Sequence, residues 1–324
     1  MFSAIAVAAL AALTPLASAA KCTNLTIPIT ISARNGAFNI TNPTTNIAAT
    51  NFILNLSRQG HNYTNEVTTG FNTVSGSYNI AATYCEPDAG PAKTVQLLTH
   101  GIGFDRSYWD FSYANYNYSY VREAVDQYGY STFSWDRLGI GMSSHGDPVS
   151  EIQLPLEVAA LRALTIGLRN GTISGISTPY NKVVHVGHSF GSSQTYALTA
   201  MYPSLSDGAV LTGFSNNGTF AAFFELGSDF VIANTNPALA SYATGYLAPA
   251  SATGVQIDFF APGDFDPAVL ATAYATGQPV TPGELLTLAG LSASVNTFPK
   301  PVLVITGGKS LIPTKTSNHN IELT

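Results

Sequence analysis

The residues with the clearest chemical potential are Gly187-His188-Ser189-Phe190-Gly191. A serine hydroxyl becomes a nucleophile only when a base takes its proton. It must also stand clear of the backbone, so that base, substrate and hydrogen-bond donors can converge on it. A sharp turn from strand to helix achieves this. The turn brings the chain so close to itself that small residues are needed two positions to either side of the serine. The flanks of Ser189 fit that geometry. Val183 to Val186 is an apolar strand pattern, and Ser192 to Tyr202 is helical in spacing. The chemistry implied is attack by Ser189 on a carbonyl carbon.

Such attack creates a negatively charged oxygen, which backbone N–H groups can stabilise. The N–H of Phe190, just after the serine, is one donor. The loop His100-Gly101-Ile102-Gly103 follows the apolar run Thr94–Thr99 and can turn the N–H of Ile102 toward the same point. A third segment, Asp136-Arg137-Leu138-Gly139-Ile140-Gly141-Met142-Ser143, closes another short strand, Ser131–Trp135. Asp136 reads there mainly as a structural residue.

These segments need a scaffold. Strand patterns fall at Thr23–Ala33, Val74–Tyr84, Thr94–Thr99, Ser131–Trp135, Lys182–Val186, Ala209–Gly213 and Pro301–Thr306, with helical spacing over Tyr118–Tyr128, Ile152–Leu168 and Ser192–Tyr202. Strands alternating with helices predict right-handed crossovers and a mostly parallel α/β sheet flanked by helices. Residues 216–297 break the alternation. They are rich in Ala, Phe, Leu and Tyr and poor in charge, and are expected to form an inserted helical lid. Its phenylalanines (Phe220, Phe223, Phe224, Phe230, Phe259, Phe260, Phe265) read equally as an apolar substrate surface or as ordinary core. The expected division is a leader over 1–20, a core over 21–215 and 298–309, the lid over 216–297, and an atypical tail over 310–324.

Together the three loops resemble the α/β-hydrolase superfamily, in the group with an H-G-x-G loop, a D-x-x-G-x-G-x-S loop and a G-H-S-x-G elbow, and look most like secreted fungal members. The resemblance spans roughly residues 70 to 306. It implies a hydrolase of esters or amides that works through an acyl-enzyme and needs no metal or cofactor. It also implies Ser189 as nucleophile and Ile102 and Phe190 as oxyanion donors. The family order of serine, acid, histidine is not matched further on. Ser310 stands where the acid is expected, and His319 is the only histidine after it. His319 is therefore the residue expected as base. The polar tail suggests that the chain leaves the family pattern near Lys309. The Gly308-Lys309-Ser310 run is not a phosphate loop, because Leu303 stands where that motif needs glycine.

The whole chain sets the remaining expectations. Of its 324 residues, 45% are hydrophobic and 10% charged, with a net charge of −6, so it can bury a full core and has no basic run for nucleic acid. Residues 1–20 are uncharged and Ala-rich and end in Ala17-Ser18-Ala19, the pattern of a cleaved secretory leader. No stable membrane anchor is expected. Cys22 and Cys85 are the only cysteines and are expected to pair in an oxidising compartment. Asn24, Asn39, Asn55, Asn62, Asn117, Asn170 and Asn217 each open a glycosylation triplet. The reading is a secreted, glycosylated serine hydrolase acting on a small apolar ester. The alternative is a non-catalytic ligand-binding relative, or an inactive form lacking acid and base.

Overall fold

The computed structural model describes residues 20–176, 178–215, 218, 221–288, 290 and 295–307. The leader before residue 20, Asn217, and the tail with Ser310 and His319 lie outside the described residues. In chain order the elements are β1 (Lys21–Phe38), α1 (Asn46–Leu56), α2 (Tyr63–Val67), β2 (Thr68–Glu86), β3 (Thr94–Thr99), the single turn α3 (Tyr113–Tyr116), α4 (Tyr120–Arg122), β4 (Ser131–Trp135), α5 (Leu154–Asn170), β5 (Lys182–His188), α6 (Phe190–Met201) and β6 (Gly208–Thr212). Then come α7 (Ala221–Gly227), β7 (Phe230–Ile232), β8 (Leu247–Pro249), α8 (Ala252–Phe259), α9 (Pro267–Ala275), α10 (Pro282–Thr287) and β9 (Val302–Ile305).

Seven strands form one sheet in the order β1-β2-β4-β3-β5-β6-β9. The β1–β2 and β2–β4 pairs are antiparallel, and every other pair is parallel. Strand alternation divides the side chains between the faces. Leu97, Phe133 and Val183 pack with Leu161 of α5 and Leu198 of α6 on one side. Leu98 and Val186 pack with Trp109, Val121 and Val125 on the other. In β1, Ile27, Ile29 and Ile31 are buried while Pro28, Thr30 and Ser32 face out. Cys22 and Cys85 lie opposite one another in the β1–β2 register and form a disulfide. α5 carries Pro155 in its first turn and stops at Gly171, whose φ of 64° suits a left-handed C-cap. β9 sits at the sheet edge, and its four apolar side chains are each about half exposed.

The structure departs from the sequence reading at several elements. β1 and β2 run several residues beyond the expected strands, because each supplies the other's ladder hydrogen bonds along its whole length. The helical stretch expected over 118–128 is only α4, continued by a π-type turn at Glu123–Gln127 and closed at Gly129, with φ 66°. The expected helical lid also contains an antiparallel pair, β7 with β8, and two 3-10 turns. Short strands separated by a loop carry no helical or alternating period long enough to read. α1 and α2 were not anticipated.

One buried ion cluster ties the segment after β6 to the sheet. Arg137, wholly buried, donates to Glu157 of α5 at 2.6 Å and also pairs with Glu284 of α10. Its guanidinium lies 4.8 Å from the centre of the Phe190 ring. Its backbone N–H donates to His100 Nε2 at 3.0 Å. Glu284 also closes a capping box with Thr281, so α10 starts where the ion pair holds it. Two carboxylates share one cation here. Burial pushes the Glu157 carboxyl well above its ordinary value, more than Arg137 lowers it, and the neighbouring Glu284 adds to the rise. Arg137→Met would leave the carboxyl pair without its cation and is expected to cost about 3–5 kcal/mol. Glu157→Gln keeps an oxygen that accepts from Arg137 while removing the raised carboxyl, so it should cost clearly less than Arg137→Met. Urea denaturation at pH 7 measures both.

Candidate active site

The parallel strands β3 and β5 end side by side, and Ser189 stands at the β5–α6 junction. Its φ is 52° and ψ −114°, a region that non-glycine residues avoid and that costs of order 1–3 kcal/mol. The neighbours leave the chain no other course. A Cβ at Gly191 would stand 2.1 Å from the Thr99 carbonyl oxygen, and one at Gly187 would stand 2.4 Å from the Gly191 carbonyl oxygen. Only glycine permits this crossing. The Ser189 N–H donates to the Thr212 carbonyl at 2.8 Å, anchoring the turn to β6. The Ser189 hydroxyl has no hydrogen-bond partner among the described residues.

The loop after β3 packs against this turn. A Cβ at Gly101 would lie 3.0 Å from Ser189 Cβ, so the Gly101-Ile102 backbone runs directly beside the serine. Ile102 is buried and borders the same cleft as Ser189. Phe190 opens α6, so its N–H belongs to the first turn, where no carbonyl within the helix can accept it. Structure thus brings Ser189, Ile102 and Phe190 to one place.

Asp136 does not join them. Its carboxylate accepts the backbone N–H groups of Arg106 at 3.0 Å and Met142 at 2.9 Å, and it pairs with the Arg106 side chain. Burial raises its pKa against the pull of Arg106. This carboxyl holds two loops together.

The described histidines are engaged elsewhere. His100 Nδ1 contacts the Gly101 carbonyl and its Nε2 accepts from Arg137, with burial holding the ring well below its ordinary pKa. His185 bridges Thr165 and Ser206 inside the core, and burial lowers it to about 3. His145 stacks on Tyr242 with ring centres 4.3 Å apart. His61 is exposed beside Glu66. His188 stacks on Tyr108 at 4.5 Å, and burial lowers it to about 4. The Thr212 hydroxyl gives its single proton to the Gly187 carbonyl, so it can only accept from His188 Nδ1. His188 is thereby fixed as the Nδ1–H tautomer. Among the described residues, no histidine hydrogen-bonds to Ser189.

The cleft above Ser189 has a volume of about 1740 Å³ and reaches as far as Leu303 and Ile305 of β9. Phe104 of the β3 loop meets Phe259 of α8 at 5.1 Å between ring centres, so core and inserted segment share one aromatic wall. Of the inserted phenylalanines, Phe224, Phe259 and Phe260 line the cleft, whereas Phe230 is core, 3% exposed. Phe265 packs on Phe260, Phe223 is exposed, and Phe220 lies outside the described residues. Sequence reasoning missed Tyr108 as the stacking partner of His188. The Tyr108-Trp109 pair was its only trace.

It also missed Asp258 of α8, which lines the cleft. Ser228 donates to the Phe224 carbonyl at 2.9 Å and is also bonded to Asp258. Burial raises this carboxyl to about 7.

The chain matches the alpha/beta hydrolase family model over residues 96–319, well over half its length. It belongs to the alpha/beta hydrolase family. No curated protein matches it. Among solved structures, an esterase from Thermogutta terrifontis is 16% identical with a TM-score of 0.46, covering 71% of this chain and 75% of that one. An enol-lactonase from Burkholderia xenovorans is 15% identical with a TM-score of 0.45, covering 71% and 78%. An epoxide hydrolase from Vigna radiata is 18% identical with a TM-score of 0.32, covering 43% of this hydrolase and 35% of its own chain.

Two expectations follow from this geometry. Gly191→Ala forces a Cβ into the Thr99 carbonyl, so soluble folded protein should fall sharply, as read by circular dichroism and thermal melting. Asp258 binds its proton more tightly folded, at about 7, than unfolded, near 3.9. Its contribution to stability is complete below about pH 4 and is lost as pH rises to 7. The Tm of Asp258→Asn relative to wild type should therefore climb between pH 4 and 7 and level off above. A constant difference would show an ordinary aspartate.

Proposed function

We propose that this hydrolase is a secreted serine esterase that cleaves small apolar carboxylic esters through an acyl-enzyme on Ser189. The observation that carries the reading is Ser189 itself. A strained backbone holds it at the mouth of β5, in a largely apolar cleft, with a hydroxyl that has no hydrogen-bond partner among the described residues. Strain of this kind persists only where surrounding structure enforces it, and it concentrates at functional sites.

In this reading the ester carbonyl lies over Ser189. The Ser189 Oγ attacks as its proton passes to a base, and the oxyanion formed meets the N–H groups of Ile102 and Phe190. Collapse of that intermediate expels the alcohol, which takes the proton from the base. Water then attacks the acyl-enzyme by the same route and releases the acid. The described histidines are committed to structural contacts, so the base comes from elsewhere in the chain, and His319 is the histidine available there. Main-chain donors, a cleft and a poised serine support a share of catalysis without a base, since such sites keep residual rate enhancement when a triad member is lost.

Secretion is supported by the leader pattern and by the Cys22–Cys85 disulfide. Six of the candidate glycosylation asparagines, Asn24, Asn39, Asn55, Asn62, Asn117 and Asn170, are exposed, as attachment of a glycan requires.

A fluorophosphonate probe tests the mechanism. Peptide mapping of the treated protein should place the label on Ser189, and Ser189→Ala should remove it. Folded protein that takes up no label would favour the ligand-binding reading instead.

A further inference from the structure

The ring of His188 is fixed from several directions. Its face stacks on Tyr108, with ring centres 4.5 Å apart and planes within 17° of parallel. Its Nδ1–H donates to the Thr212 hydroxyl at 3.0 Å, and that hydroxyl gives its own proton to the Gly187 carbonyl. The two far carbons of the ring meet glycines. A Cβ at Gly213 would stand 2.9 Å from Cε1, and one at Gly101 would stand 3.3 Å from Cδ2. The loops after β6 and β3 thus grip the two ring edges. Nε2 lies between Cε1 and Cδ2, so it points out between those loops. Ile102 and Gly213, on either side of that gap, line the cleft together with His188 and Ser189. Nε2 has no hydrogen-bond partner among the described residues. In the tautomer fixed by Thr212 it carries a lone pair and no proton. Burial lowers the ring to about 4, which makes it a weak base for the serine proton but leaves it a neutral acceptor at pH 7. A phenylalanine would fill the same space. The imidazole adds one aimed acceptor beside the nucleophile.

We propose that His188 Nε2 is a specificity contact that accepts a hydrogen bond from the substrate, so that the cleft prefers esters carrying a hydroxyl within a few bonds of the scissile carbonyl. The inference rests on the esterase reading for the ester, and on the cradle around His188 for the hydroxyl. A neutral imidazole nitrogen without a hydrogen accepts and cannot donate. A substrate hydroxyl satisfies it. A methyl group or an ether oxygen in the same place strips its water and leaves the lone pair unmatched. Rings such as Phe104, Trp109 and Phe259 form much of the surrounding wall, so a single aimed acceptor orients the substrate as well as selecting it.

The test is a binding titration on Ser189→Ala, which cannot consume the ester. The ligands are pairs that differ only in a methyl group for the hydroxyl: phenyl hydroxyacetate against phenyl propanoate, phenyl β-hydroxypropanoate against phenyl butanoate, and hydroxyethyl benzoate against propyl benzoate. Trp109 lines the cleft and reports occupancy by fluorescence, while Trp135 is fully buried. In at least one pair the hydroxyl ester should bind about tenfold more tightly. His188→Phe on the same background keeps a ring and removes the acceptor, so it should abolish that preference while the methyl partner still binds. Nitrogen NMR of the histidine ring gives a reading without substitution at His188, and decides the matter if His188→Phe does not fold. The free protein should show a protonated Nδ1 and a bare Nε2. The Nε2 resonance should move with the hydroxyl ester and stay in place with its methyl partner. No preference in any pair, a preference that survives His188→Phe, a protonated Nε2 in the free protein, or no binding of any ester would overturn the proposal. Fluorophosphonate labelling of the wild type reports only on the reactivity of Ser189, so failure of this contact and failure of the esterase reading are separate results.

Discussion

Everything reactive in this hydrolase depends on how closely α6 approaches the ends of β3 and β5. At Gly191 the gap to the Thr99 carbonyl is too small for a single methyl group. That contact does three jobs at once. It forces Ser189 into its left-handed conformation, so the hydroxyl stands away from the sheet. It brings the first turn of α6, with the Phe190 N–H, level with the end of β3. And it sets the Gly101-Ile102 backbone against Ser189. A parallel sheet makes this possible, because β3 and β5 both end at the same edge and loops from both can converge there.

Arg137 keeps that convergence rigid. One side chain touches the Phe190 ring and two acids, and its own N–H fixes His100 in the adjoining loop. Elements carrying residues 100, 137, 157, 190 and 284 thus share one buried cation. A buried pair of this kind is weak evidence for net stability, since desolvation offsets much of the attraction. Its effect is geometric. Buried Leu285 and Leu286 and the Thr287 hydroxyl, which accepts the Leu154 N–H, add to its hold on α10, and the capping box at Thr281 fixes where that helix begins.

The legible parts of this fold are the local ones. β3, β4 and β5 are short runs rich in apolar residues, and each is legible to within two residues because both faces are largely buried. The tight turn at Ser189, its glycines and the loop after β3 were legible for the same reason: each lies beside the strand that positions it. What could not be read depends on distant partners. Arg137 and Glu284 are separated by 147 positions, and nothing in either neighbourhood announces the other. The β7–β8 pair has three residues a side, too few for alternation to show. The extra length of β1 and β2 comes from mutual pairing rather than composition, since Asn35, Gly36 and Asn72 are poor strand formers. The His188–Tyr108 stack joins two loops whose approach is a property of the folded sheet.

The charge economy of the chain also bears on the cleft. With a tenth of its residues charged, this protein spends its cations on internal carboxylates: Arg106 on Asp136, Arg137 on Glu157 and Glu284, Arg169 and Lys300 on Asp207. In the mechanism proposed above, the stabilisation near Ser189 would be dipolar, because backbone N–H groups fixed by the fold need not reorganise when an oxyanion forms. A side-chain cation in the same place would bind anionic ground states as well as transition states, and so would lower KM without raising kcat. In the proposed mechanism the main-chain donors would discriminate by position alone, because only an oxygen bonded to a carbon attacked by Ser189 would reach both.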